Sequence, residues 1–230
     1  MRLIVTVSVL AACAVGCKGM PAISVAAGEA SSTRPAATVV AGDAARGKVR
    51  SAELYCDACH GTNGNSETPE WPSLAGQTAA YLAKQMELFR TGARPSPEMQ
   101  PIANTLTDAD IVDLAAHYSA QTPVSGAASD ESKLGEALYR DGDAARALAA
   151  CSSCHGPTGA GNPVTGDPAV RGQQPVYTSR QLEAYANRTR YGSGMHDEQD
   201  NPNLAIMYEA AGKLTPEEIR SLAAYFYSMP

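Results

Sequence analysis

The sequence predicts an all-α chain built as two tandem helical domains, and three observations carry that expectation. The pattern Cys-x-x-Cys-His occurs twice, 95 residues apart, and the residues that follow each copy match one another. Near the end of each copy, apolar residues recur at helical spacing along one side. No segment sustains the apolar–polar alternation that a half-buried strand requires.

The C-terminal segment of each copy is the clearest helix. Thr107 and Thr215 are N-cap candidates, with Asp110 and Glu218 three positions on, as in a capping box; Asp110 is shorter than the usual partner there. Pro216 sits at the first helical position, where a missing N–H costs nothing. Ile111, Leu114, Ala115 and Tyr118 form one stripe, and Ile219, Leu222, Ala223 and Phe226 form its counterpart. Residues 44–55 read as the helix leading into the first Cys-x-x-Cys-His motif. Residues 134–139 and 144–150 read as helix leading into the second.

The repeat can be followed through each copy. His60-Gly61 matches His155-Gly156, and Pro72-Ser73-Leu74-Ala75-Gly76-Gln77 matches Pro168-Ala169-Val170-Arg171-Gly172-Gln173 at an offset of 96. Tyr81, Gln85 and Phe89 match Tyr177, Gln181 and Tyr185 at the same offset. Leu106-Thr107 matches Leu214-Thr215 at an offset of 108, so the second copy carries about 12 extra residues between roughly Arg188 and Leu204.

The two motifs, Cys56-Asp57-Ala58-Cys59-His60 and Cys151-Ser152-Ser153-Cys154-His155, carry the attachment signature of haem c. Two thiols about one helical turn apart can each add to a porphyrin vinyl group, and the adjacent imidazole then binds iron from the proximal side. Cys56, Cys59, Cys151 and Cys154 are therefore expected to bind two covalent haems, with His60 and His155 as iron ligands. Two other readings of a Cys-x-x-Cys pair fit less well. Zinc would need the four thiolates close together or more histidines, and a redox dithiol has no need of a following His, twice.

Composition agrees with a large apolar cofactor. Aromatic residues make up 6% of the chain and Phe only 2 residues, which is thin for two self-sufficient cores. The net charge of −6 argues against nucleic acid as a partner, since phosphates would meet no counter-charge. Residues 1–17 read as a signal or lipoprotein leader: Arg2 precedes an apolar run too short to span a bilayer. Lipidation would fall on Cys17 or on Cys13. The other reading is an ordinary secretory signal cleaved between about residues 22 and 27. Either places the mature protein in the periplasm. Residues 18–42 read as a flexible tether, 43–122 as the first haem domain, 123–131 as a linker and 132–230 as the second haem domain.

A sixth iron ligand separates electron transfer from ligand activation. Met99, in the proline-rich stretch Pro95-Ser96-Pro97-Glu98-Met99-Gln100-Pro101, lies seven residues before Leu106, and Met207 lies seven before Leu214. The repeat thus nominates the same role twice, although the insertion brings Met195 and His196 into competition with Met207. Met86 reads as core filler on a helix. His117 aligns with Tyr225 and reads as a helix residue near the surface or the haem edge.

Paired Cys-x-x-Cys-His-Gly motifs, paired Pro-x-x-x-Gly-Gln segments and a Met before each Leu-Thr helix together resemble the two-domain, di-haem class I cytochromes c of the cytochrome c-four type. The resemblance implies two tandem class I cytochrome c domains, each wrapped around one covalently bound haem with His and Met on iron, and related by a pseudo-twofold axis. It also implies haems close enough for internal electron transfer, and a carrier rather than an enzyme, with no catalytic residue. The expected donors are a quinol-oxidising complex or a dehydrogenase, and the expected acceptor is a terminal oxidase or another redox protein. A lipid anchor would hold such a carrier at the membrane. The rival expectations are a dedicated di-haem subunit of a larger oxidase or dehydrogenase, and a haem enzyme of peroxidase or thiosulfate-oxidising type. The last needs an open or unusual axial site.

Overall fold

A computed structural model describes residues 42–192 and 202–229. Cys13, Cys17, Met195 and His196 lie outside the described residues. The described chain is helical, with no strand among its elements and two isolated bridges, Asp143 with Leu148 and Asn162 with Asp167.

Among the described residues each copy contributes five α-helices. The first has α1 (Ala44–Glu53), α2 (Asp57–His60), α3 (Ala79–Thr91), α4 (Met99–Ala103) and α5 (Asp108–Ser119). The second has α6 (Ser132–Asp141), α7 (Ser152–His155), α8 (Pro175–Ala186), α9 (Pro202–Gly212) and α10 (Pro216–Ser228). Local chemistry sets their ends. The Asp43 carboxylate accepts from the N–H groups of Ala45 and Arg46 and starts α1. Gly92, at φ 75°, closes α3 in the left-handed conformation. Both capping boxes form. Asp110 proves long enough, since Thr107 N–H donates to its Oδ2 at 2.9 Å.

Within each copy the first and last long helices cross, α1 on α5 and α6 on α10. A glycine sits at each crossing. A Cβ on Gly47 would stand 2.0 Å from the Asp113 carbonyl oxygen, and one on Gly135 would stand 2.2 Å from that of Ser221. The expected stripes of α5 and α10 are buried. Leu138, Tyr139, Leu182, Ile219, Leu222 and Phe226 make the second core. Leu82, Leu106, Ile111, Leu114 and Tyr118 make the first, with Met86 packed against it as expected. Each fully buried Leu or Ile contributes roughly 1.5–3 kcal/mol. A third cluster joins the copies: Leu88 of α3 packs with Tyr191 and Leu204, flanked by Ala93, Tyr185 and Tyr208.

One expectation fails. Residues 144–150 are not an α-helix. A single 3-10 turn covers Ala144–Arg146, and Ala147 turns left-handed at φ 51°. The Asp143 side chain takes the N–H groups of Ala145 and Arg146, while its backbone pairs both ways with Leu148, so the segment closes as a small loop. His117 is a packed helix residue, as expected. It is buried in α5, with its ring centroid 4.9 Å from that of Tyr118.

Candidate haem sites

α2 and α7 are single turns, which is what the Cys-x-x-Cys-His spacing needs. His60 N–H donates to the Cys56 carbonyl at 2.9 Å, and His155 N–H to that of Cys151 at 3.0 Å. Cys56 and Cys151 are half-buried, whereas Cys59 and Cys154 are exposed. Burial pushes the Cys56 thiol up and the Cys151 thiol to about 11, so neither is the low-pKa thiolate of a redox dithiol. Among the described residues no three His, Cys, Asp or Glu side chains gather as an ion site, so the motifs do not meet as four thiolates around zinc.

Both histidines are buried, and burial lowers the pKa of each ring below the ordinary value. Each Nδ1 lies 2.8 Å from a proline carbonyl, Pro72 for His60 and Pro168 for His155. A carbonyl can only accept, so Nδ1 carries the proton and Nε2 keeps its lone pair for a metal. These prolines open the repeated Pro-x-x-x-Gly-Gln segments, whose link to the histidines the sequence pattern alone did not reveal.

In the second copy Cys151, Cys154, His155 and Met207 line one cavity of about 500 Å³. Met207 reaches it from α9, a helix that no sequence signal had marked. Leu182, Leu222 and Phe226 supply apolar wall, and Gln77, Tyr81 and Gln85 of the first copy close one side. In the first copy Met99 is the first residue of α4, half-buried, its N–H donating to Ser96 Oγ at 3.1 Å. The proline-rich stretch is thus partly helical, with Pro101 inside α4.

Polar residues between the copies complete the fit to a porphyrin with acidic side arms. Arg94 and Arg190 are 7% and 5% exposed, and among the described residues neither guanidinium meets a carboxylate. The pairing is crossed: Arg94 Nη2 donates to Tyr177 at 3.1 Å, and Arg190 Nη2 to Tyr81 at 2.6 Å. Each cation also stacks on an aromatic of its own copy, Arg94 on Phe89 at 4.5 Å and Arg190 on Tyr185 at 4.8 Å. Burial pushes the Tyr177 phenol up, yet the two arginines outweigh it and bring it down to about 8. Arg190 lines the cavity, and its buried Nη1 has no hydrogen-bond partner. A buried cation with an idle donor fits an anionic group of the cofactor. Sequence reasoning missed this pair, although Arg94 and Arg190 stand at the repeat offset of 96.

Comparisons with known proteins agree with this geometry. Residues 132–230 match the family model described as cytochrome c, and residues 42–117 match that of cytochrome c oxidase, cbb3-type, subunit III. Cytochrome c4 of Azotobacter vinelandii is 37% identical over 184 residues, covering 76% of this chain and 84% of the relative. A thiosulfate dehydrogenase electron acceptor of Stutzerimonas stutzeri is 33% identical over 186 residues, covering 79% of this chain and 82% of that one. The crystal structure of reduced recombinant cytochrome c4 from Pseudomonas stutzeri superposes with a TM-score of 0.75 at 35% identity, over 83% of this chain and 100% of that one. Two helical cytochrome c units, two Cys-x-x-Cys-His turns and relatives of this extent lead to one conclusion: the chain belongs to the cytochrome c4 family of di-haem electron-transfer cytochromes.

Proposed function

We propose that this protein is a periplasmic carrier in which Cys56, Cys59, Cys151 and Cys154 hold the two haems, while His60 with Met99 and His155 with Met207 hold the irons. The domains we assign are 43–122 and 132–230, joined by 123–131. The observation that carries this reading is the second cavity, where two thiols, an imidazole with a protonated Nδ1 and a thioether share one apolar chamber. Haem c, when bound, supplies an iron that changes charge by one electron with no change of ligands. The chain's own residues hold that state ready. Pro72 and Pro168 orient the imidazoles, the apolar walls exclude water, and Arg94 and Arg190 offer buried positive charge to the cofactor's carboxylates.

The partners we propose are redox proteins, with a dehydrogenase or quinol-oxidising complex as donor and a terminal oxidase or other acceptor. The relative that bears the name of a thiosulfate dehydrogenase electron acceptor supports a dehydrogenase as one such donor. The apolar run behind Arg2 supports export, with lipidation of Cys17 or Cys13 as anchor. No helix among the described residues is long and apolar enough to cross a membrane.

A redox-resolved absorption spectrum of the holoprotein, extended to the weak near-infrared Met-to-iron band, tests the ligands. Two haems per chain, both with that band and neither binding carbon monoxide when reduced, is the expected outcome. Met207→Ala should remove one band, open the second haem to carbon monoxide, and lower its potential by on the order of 100 mV, well inside the roughly 0.8 V that axial ligands span. Carbon monoxide binding by the unmodified protein would instead favour a haem enzyme.

A further inference from the structure

We propose that Gln77 and Gln173 are positioning residues through which each copy tunes the proximal histidine of the other. Each glutamine reaches across the interface and holds one residue of the opposite copy by both its backbone groups. Ala169 N–H donates to Gln77 Oε1 at 2.8 Å, and Gln77 Nε2 donates to the Ala169 carbonyl at 2.8 Å. Reciprocally, Ser73 N–H donates to Gln173 Oε1 at 2.8 Å, and Gln173 Nε2 donates to the Ser73 carbonyl at 3.0 Å.

The residues held in this way follow Pro168 and Pro72. The amide that gives its N–H to the glutamine is therefore the same peptide unit whose carbonyl takes the histidine Nδ1–H. One polar chain runs from His155 through the Pro168–Ala169 peptide to Gln77, and its twin runs from His60 through the Pro72–Ser73 peptide to Gln173. Hydrogen bonds in series polarise one another. An amide whose N–H is engaged becomes a better acceptor at its oxygen. A stronger bond at Nδ1 makes the imidazole a stronger donor to a metal at Nε2. More electron density on the iron favours the ferric state, so each clamp holds down the potential of the haem in the other copy.

The backbone is shaped for this reach. Gly76 and Gly172, at φ 66° and 65°, turn the chain just before each glutamine. Each Oε1 also accepts the next residue's N–H, from Thr78 and from Gln174, both at 2.9 Å, which fixes the side-chain amide in place. The two clamps differ in solvent access. Gln77 is 7% exposed and Ala169 9%, whereas Gln173 is half-buried. The chain that ends on His155 is the drier one and should be the stronger.

This inference rests on His60 and His155 being the iron ligands. The test is haem-resolved potentiometry with paramagnetic NMR on the holoprotein carrying Gln77→Leu, which keeps the bulk and removes both bonds to Ala169 along with the local one from Thr78. The second haem should rise in potential by a severalfold change in its one-electron equilibrium constant, below the tenfold step of 59 mV. Its hyperfine-shifted resonances should move while those of the first haem stay. Gln173→Leu should do the reverse, with a smaller shift at the first haem. Unchanged potentials, equal shifts at both haems, or a shift only in the mutated copy would overturn the proposal. Loss of the His/Met spectrum in the unmodified protein would instead overturn the ligand assignment beneath it. Should Gln77→Leu fail to mature, amide exchange in the unmodified holoprotein still decides: Ser73 and Ala169 should be protected, and exchange within minutes would overturn the clamp.

Discussion

The helix crossing of the first copy and that of the second solve one packing problem with different side chains, a small residue against an aromatic in the first and two aromatics in the second. At the α1–α5 crossing, Ser51 faces Tyr118, and the two hydroxyls bond at 2.6 Å. At the matching α6–α10 crossing, Tyr139 stands where Ser51 would be and meets Phe226 edge-on at 5.6 Å. Its hydroxyl donates to the Gly156 carbonyl, just behind the second motif. Likewise the Asp113 carboxylate takes Arg46 and the Asp43 N–H, while its counterpart Ser221 accepts from Gly135 N–H and donates to the Glu131 carbonyl. What persists is the glycine at the crossing and a hydrogen-bond partner for each buried hydroxyl. The side chains around that glycine are free to change.

Truncating the aromatics should produce the largest effect and test whether the crossings carry equal weight. Tyr139 is fully buried, and Tyr139→Ala should cost about 4 kcal/mol. Tyr118→Ala, at 5% exposure, should cost somewhat less; thermal melts of the holoprotein followed by circular dichroism would rank them. Crowding the crossings comes next. Gly47→Ala and Gly135→Ala each place a methyl against a carbonyl oxygen and should cost about 2–3 kcal/mol, read from the same melts. Equal losses would mark the close approach as the shared element, and a silent substitution in one copy would show that its helices can part.

Acid should separate the copies through their ion pairs. Arg46, with the Asp43 N–H, holds Asp113 below the usual carboxylate range, and Arg146 does the same for Glu218 in α10. Groups depressed in the folded state stabilise it above their ordinary values near 4 and lose that contribution as pH falls through the lower folded values. Melting temperature should therefore hold above about pH 5 and decline below about pH 4. Glu218→Gln should flatten part of that decline and cost about 1 kcal/mol at neutral pH. The smallest effect concerns one hydroxyl. Tyr118→Phe should cost about 1 kcal/mol by stranding Ser51, and adding Ser51→Ala should recover most of it.

How much of this was legible beforehand depends on whether a feature is local. The caps at Thr107 and Thr215, the stripes of α5 and α10 and the motif turns depend on neighbours along the chain, and the structure contains all of them. Residues 144–150 read as helix because a run of Ala and Leu carries helix propensity, whereas in the fold the Asp143 side chain competes for the same N–H groups. The backbone partners of Gln77 and Gln173 and the tyrosine partners of Arg94 and Arg190 lie on the other copy, about a hundred residues away. No periodicity encodes such contacts. The repeat offset does flag the positions, but only three dimensions reveal that the pairings are crossed.

The segment between the copies has the composition of a loose joint, yet it is fastened on both sides. The Asn65 side chain bonds to the Thr122 carbonyl and the Val124 N–H, Gly126 N–H donates to the Tyr227 carbonyl, and Pro123 packs against Gly76. A protease needs a stretch it can pull into an extended shape, and this one is already committed to both halves. Parting the halves would leave the backbone groups of Ser73 and Ala169 open and the apolar faces of Leu88, Tyr191 and Leu204 bare.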